Sequence, residues 1–507
     1  MVRPTVRPLA CALLALLLVP AAAAGQAAST VADLWTPAVK ARIRDRSTLN
    51  PSFVPGAGYT EVFFDSEIDE AKWGDSAPPW DVHTGGTIRI QGYMAVPAGT
   101  GPFPAVVIGH GHGGSAELDL ARVVAAFGYV ALSISGPRAG GSTGGPEDTE
   151  QAWITVEPSA DYGFLYHYAY AGMRALTLFE ALAAVPGNPF KIDPARLGVM
   201  GASMGGQFTY YVNGVDDRVK AAVAIAVAGD WIPTLFYPGS WLYHGLYYYT
   251  RDGLPSGTNW PNAVADVCND ETLEAFARYF DPISYAPTQH GRLLTIIGSH
   301  DQYFPLPAIN ATFDRVQSAG TDPGFASRVL IMRNGKHGVV DNGSTLGAVL
   351  SVVATASNWL QHAFDGGARP PDTPVVQRFV SGDRMHFIVP AAPGDTALSQ
   401  VFVDWATQVD TTANPPCDFT RLRLIRLGNA YFGSIPIGAS PSCGPPADTS
   451  NVMYFASVSD WKGYTVSSRV YRGATPMTFS AEFSPVIEHF PRDGFPVPPA
   501  PLACTLP

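Results

Sequence analysis

Six short apolar runs, each ending in glycine or polar residues, constrain the fold of this 507-residue chain more than any other feature. They read FPAVVIGHGHGG (103–114), GYVALSISGPRAGG (128–141), RLGVMGASMGG (196–206), VKAAVAIAVAGDW (219–231), RLLTIIGSHDQ (292–302) and RVLIMRNGKHG (328–338). A continuous apolar run suits a strand covered on both faces, the condition inside a parallel sheet. Helical spacing separates most of the runs, as in YAYAGMRALTLFEALAAV (168–185), and LGAVLSVVATASNWLQHAF (346–364) follows the last one. Strand and helix in alternation predict a doubly wound α/β domain with its chemistry on loops at the carboxyl ends of the strands. Upstream, YTEVFF and GTIRIQGYMAVPAG alternate apolar and polar residues and predict further strands.

The chain is long enough for two folded units. Residues 1–24 read as a cleavable export signal, with Arg3 and Arg7, an apolar stretch from Leu9 to Val19, and small residues at Ala22 to Ala24. Residues 25–366 are expected to form the α/β domain, with 231–287 inserted as a cap. DGGARPPDTP (365–374) reads as a linker. Beyond it, RMHFIVPA, SQVFVDWA, RLRLIRLG, VMYFASVSDW and YTVSSRVYRG predict an all-β, sandwich-like unit over 374–507. A net charge of −11 without any basic run argues against nucleic acid or an anionic membrane as partner. No apolar segment is long enough to be expected to span a bilayer. Export would place Cys268, Cys417, Cys443 and Cys504 in an oxidising compartment, where three pairings are open. Cys417–Cys443 and Cys268–Cys504 are the expected ones; free buried thiols are the alternative.

Two stretches match G-x-S-x-G, one around Ser203 and one around Ser142. A nucleophile elbow needs a strand, a sharp turn and a helix. RLGVM before Ser203 and GGQFTYYV after it supply both, whereas Ser142 lies among glycines, prolines and charges. Ser203 is therefore the expected nucleophile. It needs a base, itself oriented by a carboxylate. Asp301 and His337 follow the last two apolar runs in the order serine, acid, histidine. Asp230, at the end of VKAAVAIAVAGDW, is a rival acid. The glycine-rich GHGHGG (109–114) can turn backbone N–H groups toward an oxyanion, so the donors are expected to be the N–H of His112 and of Met204. His110-x-His112 could also be read as a metal pair, but no Asp-His and no H-E-x-x-H accompanies it. No metal and no cofactor is expected.

Residues from about 86 to 365 resemble the α/β-hydrolase superfamily, most closely its exported branch around acetyl xylan esterase, cephalosporin-C deacetylase and the dienelactone-hydrolase-like proteins. The resemblance rests on GYMAVPAGTGPFPAVVIGHGHGG, SGPRAGGSTG, KIDPARLGVMGASMGGQFTYYVNGVDDRVKAAVA, GSHDQYFP and GKHG. It implies the α/β-hydrolase fold, with Ser203 as nucleophile, Asp301 as acid, His337 as base, and oxyanion donors at His112 and Met204. It also makes GPRAGGSTG a glycine-rich loop near the site rather than a second elbow. Met204 stands where deacetylases of this group often carry glutamine and matches lipase-, cutinase- and polyester-hydrolase-like elbows.

The expected activity is hydrolysis of carboxylic esters, with polymeric or glycan-linked esters as candidate substrates. The cap is rich in aromatic residues, among them Trp231, Tyr237, Trp241 and Tyr243, which can offer a platform for sugar rings or acyl groups or can pack a small core of the cap. Trp405, Trp461 and Tyr464 in the tail pose the same choice. A serine peptidase of the prolyl-oligopeptidase type would use the same triad. It would usually bring a propeller domain, for which the segment after the signal leaves little room. A non-catalytic binding protein on this fold is the third reading, and a missing triad member would favour it.

Overall fold

The computed structural model describes residues 31–67, 87–148, 153, 160–235, 237, 240, 271–316, 327–339, 346–391, 398–409 and 417–479. The expected signal, most of the expected cap, and Cys268 and Cys504 lie outside these residues. A nine-stranded sheet is built from β1 (Ser52–Gly56), β2 (Tyr59–Asp65), β3 (Arg89–Ala95), β4 (Phe103–Gly109), β5 (Val130–Ile134), β6 (Ile192–Ala202), β7 (Val219–Ile225), β8 (Arg292–Gly298) and β9 (Ser327–Met332). Its order is β1-β2-β3-β5-β4-β6-β7-β8-β9. The pairings from β1 to β3, and that of β3 with β5, are antiparallel. Those from β5 across to β9 are parallel.

Strands β4 to β9 are the six apolar runs, and their composition has a direct cause. Successive side chains point to opposite faces, and helices cover both. On one face Ala105 and Val107 join Leu176, Phe208 and Val212 of helices α2 (Phe164–Ala183) and α3 (Met204–Val215). On the other, Val106 and Ile108 join Val124 of α1 (Leu118–Ala126) and Trp359 of α5 (Leu346–Asp365). Burying one Val or Leu side chain contributes about 1.5–3 kcal/mol, so a strand with two dry faces gains on every residue. Among the described residues no helix is long and apolar enough to cross a membrane.

The C-terminal region is two antiparallel sheets. One has the order β10 (Gln377–Ser381), β11 (Arg384–Pro390), β15 (Ala430–Pro436), β14 (Ile425–Leu427). The other runs β13 (Thr420–Arg423), β12 (Leu398–Ala406), β16 (Met453–Asp460), β18 (Tyr471–Arg472), β19 (Thr475–Pro476), with β17 (Thr465–Ser467) also on β16. Alternate residues of both sheets share one core, including Met385, Phe387, Val403, Trp405, Tyr454 and Val458. The segment RLRLIRLG reads as one strand by its alternation, yet it changes sheets at the buried Leu424. Leu424 N–H donates to Val401 O at 2.9 Å, which holds the chain at the crossing. Cys417 and Cys443 stand side by side with Cα atoms 5.1 Å apart, within the range a disulfide requires. Trp405 and Tyr464 are buried and only Trp461, at 78%, is exposed, so the three do not form a common face.

The two regions are joined by polar groups as well as by apolar packing. On helix α4 (Leu306–Arg315), the buried Asn310 donates to Val470 O at 2.8 Å and Met477 O at 2.9 Å, and accepts from Val470 N–H at 2.9 Å. Asn310→Ala would leave these backbone groups unpaired in a dry interface, an expected loss of about 2–4 kcal/mol. A lowered denaturation midpoint measures it, and an unchanged midpoint would show the two regions to be energetically independent.

Candidate active site

Strand β6 runs into Ser203 and helix α3 leaves from it, so the serine sits on the turn between them. Its backbone is at φ 58° and ψ −120°, a conformation that costs a non-glycine residue of order 1–3 kcal/mol and persists only where the surroundings impose it. Ser203 N–H donates to Ile225 O at 2.9 Å, which anchors the turn to β7. Gly205 is required at the start of α3. A Cβ there would lie 2.3 Å from Gly109 O, the last carbonyl of β4. The same close approach sets the loop after β4 against the serine, since a Cβ on Gly111 would stand 3.7 Å from Ser203 Cβ.

The histidine and the acid come from the loops after β9 and β8. His337 Nε2 lies 2.8 Å from Ser203 Oγ, and His337 Nδ1 lies 2.9 Å from Asp301 Oδ2. The carboxylate fixes the tautomer. Nδ1–H donates to Asp301, which leaves Nε2 to accept the serine O–H. Asp301 has no side-chain exposure, whereas His337 retains 22%. The other oxygen of Asp301 accepts N–H from Tyr303 at 2.9 Å and Phe304 at 3.2 Å. The same carboxylate thus holds the main chain at 303–304 and the imidazole. His337 N–H donates to Gln302 Oε1 at 3.0 Å, and the Tyr303 ring packs at 4.5 Å from the imidazole centroid. The two loops meet because Gly298 lacks a side chain, for a Cβ there would fall 2.0 Å from Gly335 O.

Asp230, the rival acid, is not brought to the histidine. Its N–H donates to Asp281 Oδ1 at 3.0 Å, and burial pushes its carboxyl up to about 6. The serine of the second G-x-S-x-G faces a main-chain group instead. Ser142 is buried and its Oγ accepts Gln91 N–H at 2.9 Å, while Thr143 bridges to Arg89. The loop bearing Ser142 continues to Asp148, which braces the glycine-rich loop. Asp148 Oδ1 accepts from His112 Nδ1 at 2.9 Å and from Trp153 Nε1 at 2.7 Å, and Oδ2 accepts Gly113 N–H at 2.7 Å. Met204, as first residue of α3, has its N–H at the end of the helix where no intrahelical acceptor exists. Both ring nitrogens of His110 face main-chain groups, Gly111 O at 2.7 Å and Gly136 N–H at 2.8 Å, and burial lowers its pKa.

Sequence reasoning does not find Asp148 or Gln302. Neither carries a motif, and each acts through a contact far along the chain. Among the aromatic residues expected to form a substrate platform, Trp231 is instead a core residue, buried against Phe276 with its indole N–H on Ala228 O. Its main-chain N–H donates to the buried Asp281 Oδ2 at 2.6 Å, which ties residue 231 to the interior. Tyr237 is half-buried beside Phe479. Trp241 and Tyr243 lie outside the described residues.

Residues 178–367 match the model of the prolyl oligopeptidase family, Peptidase_S9. The fold is that of an α/β-hydrolase. YtaP of Bacillus subtilis (strain 168) is 22% identical over 262 residues, covering 48% of this chain and 77% of YtaP. Acetyl xylan esterase 1 from Thermoanaerobacterium sp. JW/SL YS485 is similar to this hydrolase-fold chain at 16% identity, with a TM-score of 0.44 over 65% of this chain and 93% of its own. An acylaminoacyl peptidase of Pyrococcus horikoshii is similar at 17% identity and a TM-score of 0.42, covering 64% of this chain and 43% of its own.

The contacts of the two carboxylates separate their effects. Asp301→Asn is expected to lower kcat on an activated ester on the order of 10⁴-fold, because the imidazole loses the partner that fixes its tautomer. Asp230→Asn is expected to leave kcat within about threefold, having no contact with the imidazole. The folded-state pKa of Asp230 is raised from 3.8 to about 6. Its contribution to stability is therefore complete below about pH 4 and lost as pH rises through about 6. Asp230→Asn is accordingly expected to raise the melting temperature at pH 8 and not at pH 4, a difference that thermal scans at the two pH values read directly.

Proposed function

We propose that this chain is an exported serine esterase in which Ser203, His337 and Asp301 form the catalytic triad. The observation that carries the reading is Ser203 Oγ at 2.8 Å from His337 Nε2 on a turn held at φ 58°. A hydroxyl at its ordinary pKa is a weak nucleophile, and this geometry gives it a base already aligned. His337 takes the Ser203 proton as Oγ attacks the ester carbonyl. Asp301 stabilises the imidazolium that forms. Met204 N–H and His112 N–H donate to the tetrahedral oxyanion, and His337 returns the proton to the leaving alcohol. Water, deprotonated by His337, then releases the acid from the acyl-enzyme.

Esters are the proposed substrates because the glycine-rich loop, elbow, acid and histidine stretches resemble those of the exported deacetylase and esterase group. Export rests on the N-terminal segment with Arg3 and Arg7, and is consistent with Cys417 and Cys443 standing at disulfide distance. A peptidase reading is favoured by the prolyl oligopeptidase family match over 178–367.

Ser203→Ala is expected to abolish both p-nitrophenyl acetate hydrolysis and fluorophosphonate labelling, with Ser142→Ala retaining both. Labelling that persists in Ser203→Ala and disappears in Ser142→Ala would overturn the assignment. Acetylated xylan, short and medium acyl esters, feruloyl esters, an aliphatic polyester and aminoacyl p-nitroanilides, assayed side by side, decide the substrate class. Turnover of the anilides above every ester would select the peptidase.

A further inference from the structure

The loops that carry Asp301 and His337 are held together by a hydrogen-bonded circuit whose last members belong to the C-terminal β region. Asn334 N–H donates to Ser299 Oγ at 2.8 Å, and the Ser299 hydroxyl donates to His300 Nδ1 at 2.9 Å. His300 Nε2–H donates in turn to Cys417 O at 2.8 Å. From the other loop, the Asn334 side-chain oxygen accepts Phe419 N–H at 2.7 Å, and Arg333 donates to Phe419 O at 3.0 Å. The Phe419 ring meets His300 edge-on at 5.8 Å. His300 is immediately before the acid, and Asn334 is three residues before the base.

The circuit is dry and directional. Ser299, His300, Asn334 and Phe419 are all buried. Every donor along it meets an acceptor only if His300 is neutral with its proton on Nε2, and burial lowers the His300 pKa in that sense. Without the 417–419 segment the His300 N–H and the Asn334 amide would be left unpaired in the interior, a cost that would move the loops. Asn334 is itself at φ 59°, so its backbone needs a residue that tolerates the left-handed region. Cys417, whose carbonyl receives the His300 bond, is the residue that stands beside Cys443.

We propose that the C-terminal β region is a positioning element of the active site, acting through Cys417 and Phe419 on His300 and Asn334 to set Asp301 against His337. The proposal rests on the triad assigned above. In it the tail serves the chemistry of the α/β domain directly, whatever else its outer surfaces bind. A displacement of about 1 Å in such a site can reduce the rate on the order of 10²-fold, so a modest shift of either loop is enough.

The test uses the full chain and p-nitrophenyl acetate, with kcat normalised to active sites counted by fluorophosphonate labelling so that an unfolded fraction does not enter. Asn334→Gly keeps the left-handed backbone and removes the contact to Phe419. It is expected to lower kcat roughly 10- to 100-fold with KM within about twofold, and to shift the acidic limb of the kcat/KM–pH profile. Asn334→Asp retains the acceptor and is expected to restore most of the rate. His300→Phe keeps the ring packing and breaks both hydrogen bonds; it should reproduce the Asn334→Gly loss and serves if the glycine variant is poorly folded. Asn310→Ala loosens the same interface away from the loops and is expected to lower stability while kcat holds. Wild-type kcat and pH profile in either loop variant, or an equal kcat loss in Asn310→Ala, would overturn the proposal. Ser203→Ala run alongside separates the outcomes: full activity there would sink the triad itself, whereas an inactive Ser203→Ala beside a normal Asn334→Gly would sink only the positioning role.

Discussion

Two contacts between a glycine and a facing carbonyl hold the arrangement together. At the first, α3 approaches the end of β4 so closely that a Cβ on Gly205 would stand 2.3 Å from Gly109 O. The close approach accompanies the sharp turn at Ser203 and sets the glycine-rich loop beside that residue, a Cβ on Gly111 standing 3.7 Å from Ser203 Cβ. At the second, a Cβ on Gly298 would stand 2.0 Å from Gly335 O, and through this approach the acid loop meets the histidine loop. Ser203 and His337 are thus each placed by backbone-on-backbone packing, one at the ends of β4 and β6 and the other at the ends of β8 and β9, a stiffer support than side-chain contacts alone.

The loops around the site are then braced from regions distant in sequence. The stretch that carries Ser142 goes on to Asp148, whose carboxylate holds His112 and Gly113. The segment just before β13 contributes Cys417 and Phe419, which meet His300 and Asn334 beside the loops of Asp301 and His337. Loops are the least constrained part of an α/β sheet, and catalysis needs them fixed to a fraction of an ångström. Around Asp148 these braces are exposed hydrogen bonds, and at Cys417 and Phe419 they are buried ones.

Much of this was legible in the residues. All six apolar runs became strands, because a strand with two buried faces cannot afford polar positions and so leaves an unmistakable pattern. Ser203 was separable from Ser142 by its neighbours, since only one of the two matches lies between a strand and a helix. The edge elements were not legible. β1 is exposed along its length and β10 nearly so, and without a buried face the alternation that marks a half-buried strand is weak. Leu424 reads as one residue of a continuous strand, and only the packing of two sheets makes it a crossing.

By itself the sequence determined the parallel core and the order of serine, acid and histidine, because these follow from local pattern. Tertiary structure alone decided which carboxylate meets the histidine. Asp301 and Asp230 both follow apolar strands, but Asp301 meets the histidine of the loop after β9, whereas the main-chain N–H of Asp230 is held by Asp281. The same holds for Trp231, whose aromatic character suggests a platform until its burial beside Phe276 is seen. It holds most of all for His300 and Asn334. Their partners lie 117 and 85 residues away, a separation that no local pattern encodes and that only the docking of the two regions closes.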